Sequence, residues 1–363
     1  MTSGDGATAA PIWTILAPVI ALALAGVAIA QHGAGVALWI IVAAVPVLFA
    51  AVFAAVKHAE TIAHRVGQPF GSILLALAVT VIEVSLIVSL LLSVPDGEST
   101  VARDTVFAAI MIVLNGILGL CLLIGGIRHH FQTLQPQSAT SALGVLATLA
   151  VLAMVLPNYT LAVPGPLYAP AQMIFVAVVS LALYGLFLHA QTVRHRADFA
   201  DPFDADSHTP VPAGAFRLAL GLLPVALLAV VLLAEVLAEP VAGAVAGAGL
   251  PEALVGVAIA LVVLMPEGVA ALRAAKANRL QTAINLSLGS ALASLSLTIP
   301  TVALISLWLG QDLVLGLDAE HVVLLVLSLF ITTLTLAMGR TTALQGGIHL
   351  VIFGAFLTLS AIP

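Results

Sequence analysis

Two carboxylates inside long apolar runs are the residues in this sequence best placed to do chemistry. Glu83 lies in the run 70–94, and Glu267 lies in the run 251–272. A helix of about 20 to 25 residues crosses a hydrocarbon core of about 30 Å, so both acids are expected near the middle of a membrane. A charge at that depth costs about 2.5 to 3.5 kcal/mol on insertion scales, so we expect each acid to bind a cation or a proton.

Neutral oxygen atoms recur in two other apolar runs. Ser290 and Ser294 fall on one face of the run 280–309, and Asn115 lies in the run 104–127. These hydroxyl and amide groups are candidate ligands that would complete the coordination of a cation held by carboxylates. The alternative is that the small residues around them form a seam where two helices pack closely.

Two further acids lie in the spans that precede those of Glu83 and Glu267. Glu60 follows the run 36–59, and Glu235 lies towards the end of the run 214–238. We expect them to relay ions or protons at the two mouths of a pathway. The alternative is that both are interfacial acids at helix ends.

The types of ligand atom indicate the kind of cation. Carboxylates with neutral oxygens favour hard cations, with Ca²⁺ first and Na⁺ or K⁺ as alternatives. The histidines do not cluster with these acids, which disfavours Zn²⁺ as a substrate. His349 is expected to be packed or hydrogen-bonded. Five others are expected to be solvated in loops: His58, His64, His129, His130 and His195.

Membrane-spanning helices must hold these residues in place. Hydrophobic residues make up 62% of the 363 residues and charged residues 8%, which excludes a soluble globular protein. The sequence therefore predicts an all-α polytopic membrane protein that has the lipid bilayer as its partner and binds no nucleic acid. Apolar runs long enough to cross the bilayer number about eleven. They are 12–31, 36–59, 70–94, 104–127, 139–156, 167–193, 214–238, 251–272, 280–309, 319–338 and 342–362.

The positive charges predict how the chain is oriented. Of the 11 Lys and Arg residues, all but Arg103 fall in loops on one side of the membrane when these spans are counted. Because Lys and Arg are concentrated in cytoplasmic loops, we expect a cytoplasmic N-terminus and an external C-terminus.

The spans after the first divide into two equal sets. The predicted parts are an N-terminal helix in 1–35, a first five-helix repeat in 36–193, an acidic cytoplasmic linker in 194–213 and a second repeat in 214–363. Glu83 and Glu267 each lie in the second span of their set. An odd number of spans in each set inverts the second set in the membrane, so we expect the inverted repeat of secondary transporters, with the substrate site between the repeats. The linker is expected to be solvated, with weak cation sensing as the alternative.

The spacing of acids, glycines and a proline resembles the calcium/proton exchanger group of the cation/Ca²⁺ exchanger superfamily. It is most similar to the bacterial branch of calcium (sodium, potassium)/proton antiporters. The resemblance covers residues 36–363 and implies eleven helices, a 5+5 inverted repeat and Glu83 with Glu267 as the central cation ligands. The residues that carry it are Glu60, Gly67, Gly71, Glu83, Glu235, Glu252, Glu267, Gly289, Ser290 and Pro300.

The sequence departs from that family pattern where amide ligands would stand. The Gly-Asn pair usual before each repeat acid is Val79-Thr80 in the first half and Val263-Leu264 in the second, and an expected Gln is Ala293. Thr80 keeps one oxygen as a possible ligand. Na⁺ or K⁺ therefore stay open as substrates beside Ca²⁺.

We predict a secondary active antiporter that exports Ca²⁺ from the cytoplasm in exchange for H⁺ by alternating access. It is expected in a bacterial inner membrane, without a cofactor, and the sequence leaves its oligomeric state open. A Na⁺ or K⁺/H⁺ antiporter of the same fold is the alternative, and a passive cation channel is a weaker one. An enzyme is not expected, because the sequence has no metalloprotease, nucleophile-elbow or phosphate-loop motif.

Overall fold

The protein is built of long apolar helices. The computed structural model describes residues 11–31, 37–66, 77–78, 80–85, 87–88, 100–195, 199, 211–251 and 253–362. Among these residues, 10 helices are long and apolar enough to cross a membrane, which confirms the predicted all-α membrane fold. The remaining predicted span, 70–94, lies mostly outside the described residues, and its described parts at 77–78, 80–85 and 87–88 are helical.

Each helix satisfies most of its own backbone hydrogen bonds, as a segment in lipid must. Helices α1 to α11 are Ile12–Ala30, Leu38–Val66, Val101–Met111, Leu118–His129, Pro136–Ala150, Pro170–His189, Ala213–Gly247, Ala253–Lys276, Leu280–Leu309, Ala319–Ala337 and Ala343–Ala361. A π-helical segment, Ile112–Ile117, joins α3 to α4, and two others, Val151–Val155 and Ala190–Arg194, extend α5 and α6. A 3₁₀ turn spans Leu156–Tyr159, and the two short strands are β1, Gln132–Thr133, and β2, Arg340–Thr341.

The chain divides into two compact units. The first unit is Met1–Leu86 with Ser207–Gly243, and the second is Ile87–Asp206 with Ala244–Pro363. Each unit contains segments from both predicted repeats, because most of α7 lies in the first unit with α1 and α2, while α8 to α11 lie in the second with α3 to α6. Glu83 therefore belongs to the first unit and Glu267 to the second.

A buried histidine joins α1 to α2 in the first unit. The sequence predicts a solvated His58, and this prediction is wrong because His58 lies within α2 on the side that packs against α1. The residue is 2% exposed, and its Nε2 donates a hydrogen bond to Thr14 O at 2.9 Å. Towards the other end of α1, an apolar cluster of Ala28, Ile40 and Val236 packs α1, α2 and α7 together.

Three connections between helices meet at one end of the second unit. Strand β1 pairs antiparallel with β2, and Gln132 lies opposite Thr341. The Gln132 Nε2 atom donates to Ala275 O and to Asn278 Oδ1, both at 3.0 Å. These contacts tie the α4–α5, α8–α9 and α10–α11 connections to one another. Their meeting agrees with the predicted count of spans, which puts these three connections on the same side.

At the other end of the second unit, a buried arginine joins the start of α3 to the segment before α10. Arg103, the basic residue predicted on the opposite side of the membrane from the other Lys and Arg residues, is 6% exposed. Its Nε donates to Asp104 Oδ1 at 2.8 Å, its Nη1 to Gly316 O at 2.9 Å and its Nη2 to Asp318 Oδ2 at 3.1 Å. All three nitrogen atoms of the guanidinium thus donate hydrogen bonds, and two of these bonds reach the segment before α10.

Glycines allow α4 and α11 to cross at close range. A Cβ atom at Gly346 would overlap the backbone nitrogen of Leu123, and a Cβ at Gly126 would overlap the backbone nitrogen of Ala343. No larger residue fits at these two positions unless the helices move apart. The crossing brings the middle of α11 against the π-helical segment 112–117.

Candidate cation-binding site

Glu83 and Thr80 provide buried oxygen atoms in the first unit. The helical segment 80–85 carries both, and the two residues are 3% and 4% exposed, respectively. A spacing of three residues puts them on one face of that helix. A carboxylate and a hydroxyl one helical turn apart are suitably placed to coordinate a single cation.

Glu267 lies inside the second unit and is 8% exposed. Helix α8 continues through Pro266, which cannot donate a backbone hydrogen bond, so the carbonyl of Val262 lacks its usual helical donor. Gly268 lets α8 approach the π-helical segment, because a Cβ there would lie only 3.2 Å from Ile117 Cδ1. The carboxylate is therefore accompanied on its own helix by a backbone oxygen without its helical partner.

Helix α9 carries hydroxyl groups along its buried length. Ser294 is buried and Ser290 is half-buried. Ser296 and Thr298 are also buried, and their hydroxyls have no hydrogen-bond partner among the described residues. Both residues belong to the same polar series of the run 280–309 as Ser290 and Ser294, although they were not predicted as ligands. They add neutral oxygens to the set from which a cation site could be built.

Asn115, the predicted amide ligand, lies in the π-helical segment and is completely buried. Its Nδ2 donates to Ser328 Oγ of α10 at 2.8 Å, and its Oδ1 lies 3.2 Å from Nδ1 of His349 in α11. The other ring nitrogen of His349, Nε2, lies 3.2 Å from Thr335 Oγ1. If a neutral His349 carries its proton on Nδ1, each of these contacts has one donor and one acceptor.

The result is a chain of hydrogen bonds that links three helical elements inside the second unit. The prediction that His349 is packed or hydrogen-bonded is confirmed. A cation coordinated by Asn115 Oδ1 would have to displace the His349 N–H from that oxygen. The role of Asn115 as a ligand stays a prediction.

Glu60 and Glu235 are more accessible than Glu83 and Glu267. Glu60 is half-buried, and its Oε2 forms an ion pair with Lys57 Nζ at 3.1 Å. Glu235 is exposed on α7 beside the buried Val236. Both roles predicted for these acids, ion relay and interfacial charge, are compatible with this placement.

Several predicted features lie outside the described residues. They are Gly67, Gly71, Glu252 and most of the acidic linker 194–213.

The sequence is similar to known ion transporters over nearly its whole length. Residues 36–193 and 218–362 match the family described as sodium/calcium exchanger protein. The protein y4hA of Sinorhizobium fredii, named as an ionic transporter, is 50% identical over 361 residues, which is 97% of each chain. The sodium-potassium/proton antiporter ChaA of Escherichia coli is 37% identical over 317 residues, which is 85% of each chain.

The fold is similar to that of a solved transporter. The Ca²⁺/H⁺ antiporter protein YfkE matches with a TM-score of 0.73, covering 96% of this chain and 99% of that chain, at 16% identity. At this level of identity the likeness concerns the fold alone.

Proposed function

Because this chain belongs to the sodium/calcium exchanger protein family, we propose that it exchanges a metal cation for protons through the carboxylates of Glu83 and Glu267. The resemblance drawn from the acids, glycines and proline is confirmed by that membership. The predicted class of protein, a membrane antiporter rather than an enzyme, is confirmed by the same membership. We propose, in addition, which ion is transported, which residues bind it and in which direction it moves.

The burial of two carboxylates within apolar helices is the observation that carries the proposal. A carboxylate removed from water is stable when it is protonated or when a cation accompanies it, and is unstable as a bare charge. Binding of the metal therefore releases protons, and binding of protons releases the metal. Because the metal and the protons compete for the same carboxylate oxygens, the flux of one is coupled to the flux of the other.

Charge balance makes Ca²⁺ the first candidate for the transported cation. Two ionised carboxylates carry two negative charges, which one Ca²⁺ neutralises, so the proposal expects about two protons to be exchanged for each Ca²⁺. Hard oxygen ligands also suit Ca²⁺. Thr80, Ser290 and Ser294 are the proposed neutral ligands, and Asn115 joins them only if it gives up its contact with His349.

Na⁺ or K⁺ is the second candidate, and two observations favour it. The amide side chains usual in calcium/proton exchangers are absent at Thr80, Leu264 and Ala293, which reduces the number of strong neutral ligands for a divalent ion. The relative ChaA is also named for sodium and potassium. One monovalent cation leaves one carboxylate to be neutralised by a proton, so this candidate expects about one proton exchanged for each cation.

The proposal also includes the path to the site and the orientation of the chain. Glu60 and Glu235 would relay ions or protons at opposite mouths of the pathway. The repeats 36–193 and 214–363 would rock against each other to expose the site alternately. With the N-terminus in the cytoplasm of a bacterial cell and the C-terminus outside, the proton gradient across the inner membrane would drive the cation out.

Transport by purified protein in liposomes tests this function. We expect Glu83→Gln and Glu267→Gln each to reduce cation-driven proton flux to the level of protein-free liposomes, because an amide cannot exchange a proton for a cation. Glu239→Gln is the matched control, since Glu239 is exposed on α7, and it should transport as the unchanged protein does. Near-normal flux in either site variant would refute the assignment.

The same liposomes separate the candidate ions and the rival mechanism. Ca²⁺, Na⁺ and K⁺ are added in turn to vesicles with an imposed pH gradient, and the proton count per cation is measured. About two protons per ion supports the first candidate, and about one supports the second. Cation flux that does not respond to the pH gradient would instead identify a passive channel.

A further inference from the structure

Three side chains able to bind a metal lie together at the start of α10, apart from the residues assigned to transport. Asp318, Glu320 and His321 each offer one ligand atom, and these atoms lie within 4.8 Å of one another. Asp318 and Glu320 are exposed residues, whereas His321 is buried, at 8% exposure. The Oδ2 atom of Asp318 accepts a hydrogen bond from Arg103 Nη2 at 3.1 Å, so a metal would take the Oδ1 atom of this carboxylate. Metal–ligand bonds of about 2.0 to 2.2 Å require ligand atoms roughly 3.3 Å apart, which small rotations of the carboxylates would achieve.

The buried imidazole points its ring nitrogen at this cluster. Nδ1 of His321 is inaccessible to solvent and has no hydrogen-bond partner among the described residues. The Asp318 Oδ2 atom lies 3.9 Å away, too far for a hydrogen bond. The ring of Phe107 packs on the imidazole with the ring centroids 4.8 Å apart, so the orientation of His321 is held by packing. A buried polar atom without a partner is unfavourable, and a metal ion bound to Nδ1 would remove that cost.

Compensation of the helix dipole explains only part of the cluster. Asp318 at the N-cap and Glu320 in the first turn of α10 place negative charge where the dipole favours it. The helix dipole does not account for His321, whose Nδ1 faces the Asp318 carboxylate from within the protein.

The charges around the cluster match a divalent cation. Arg103 contributes one positive charge, against three negative charges on Asp104, Asp318 and Glu320, which leaves a net charge of −2. Asp318 also lines a pocket of about 540 Å³ together with Asn158. A divalent cation can therefore reach the Asp318 carboxylate through this pocket, and its charge would neutralise the net negative charge around the cluster.

We propose that Asp318, Glu320 and His321 form a binding site for a divalent cation of the zinc and manganese class. An imidazole with carboxylates suits these ions, whereas Ca²⁺ takes oxygen ligands. The site is separate from the carboxylates proposed to carry the transported cation. Zn²⁺, disfavoured above as cargo, is here a ligand held at the end of a helix.

Zn²⁺ binding to the purified full-length chain in detergent tests the proposal. The measurements use the Glu83→Gln/Glu267→Gln double variant as background, so that the transport acids do not contribute to the binding. Calorimetry should show one saturable Zn²⁺ site per chain, and His321→Ala should abolish it. Asp312→Asn is the matched control, because Asp312 is an exposed acid in the segment before α10, and this variant should retain the site. Co²⁺ in place of Zn²⁺ should give ligand-field absorption bands that are lost in His321→Ala.

Equal Zn²⁺ stoichiometry in His321→Ala and Asp312→Asn would exclude the site, and so would the absence of saturable binding in the background variant. If His321→Ala does not fold, Glu320→Gln decides the matter, because it changes only an exposed side chain. Unchanged Zn²⁺ affinity in Glu320→Gln would then refute the assignment. These binding results do not depend on whether the chain exchanges cations for protons.

Discussion

Replacement of Asn115 by alanine should destabilise the protein and leave its apparent affinity for the transported cation unchanged. The substitution removes two contacts to other helices, the bond to Ser328 at 2.8 Å and the contact with His349 at 3.2 Å. Interhelical hydrogen bonds in membrane proteins contribute about 0.6 kcal/mol on average and about 1.7 kcal/mol at most, so the loss of two lowers the free energy of unfolding by about 1 to 3 kcal/mol.

A double-mutant cycle with His349→Ala tests whether the contact between Asn115 and His349 is the cause. The two residues share a hydrogen bond, so their effects on the free energy of unfolding should be non-additive by at least about 0.5 kcal/mol. Thr358→Ala provides the control, because Thr358 is exposed on the same helix as His349 and its hydroxyl donates to Gly354 O of that helix. Its effect should add to that of Asn115→Ala.

Two measurements on the same variants complete the test. Unfolding in detergent micelles gives the free energies, and transport in liposomes gives the apparent KM for Ca²⁺ and for Na⁺. A KM raised about tenfold, equivalent to about 1.4 kcal/mol of lost cation binding, together with unchanged stability would refute this reasoning. That outcome would identify Asn115 as a cation ligand.

Two further substitutions test the packing and the ion pairs of the second unit. Gly346→Val should destabilise the protein by about 3 kcal/mol or prevent folding, because the side chain would overlap the backbone at Leu123. The adjacent Gly347→Val, which meets nothing within 4 Å, should be neutral in the same unfolding assay, and equal effects would contradict the proposed crossing. Arg103→Met should lower the free energy of unfolding by roughly 3 kcal/mol, because it leaves the buried Asp104 carboxylate without its cation. A melting temperature equal to that of the unchanged protein would show that this ion pair is not needed.

The helices and the burial of the two central acids could be predicted from sequence because both follow from local composition. A carboxylate surrounded along the chain by apolar residues, as Glu83 and Glu267 are, has no polar face on which to reach water. The position of Arg103 on the opposite side of the membrane from the other basic residues could also be predicted, because the distribution of Lys and Arg among the loops follows the topology.

The partners of the polar side chains could not be predicted, because they depend on long-range packing. Asn115 and His349 are separated by 234 positions in the sequence, and nothing near either residue indicates the other. His58 was mispredicted for a related reason, since its burial depends on α1 lying against α2. The grouping of Asp318 with His321 was readable as a short motif, but its importance depends on the buried orientation of the ring.

The π-helical segment between α3 and α4 is a place where this long helix can change its length without turning the part that follows. Such a segment contains about one residue more than an α-helix uses for the same hydrogen-bonded turn, whereas each residue of an α-helix rotates the chain by about 100°. Deletion of one residue from 112–117 would let α3 and α4 merge into a regular helix, and α4 would keep its angular position because the wide turn had absorbed the extra residue. Deletion of one residue inside α4 would instead rotate the end of that helix by about 100°, and Gly126 would then face away from α11. The surface of α4 on which the rest of the unit packs therefore tolerates a change of length in this segment and not in the helix after it.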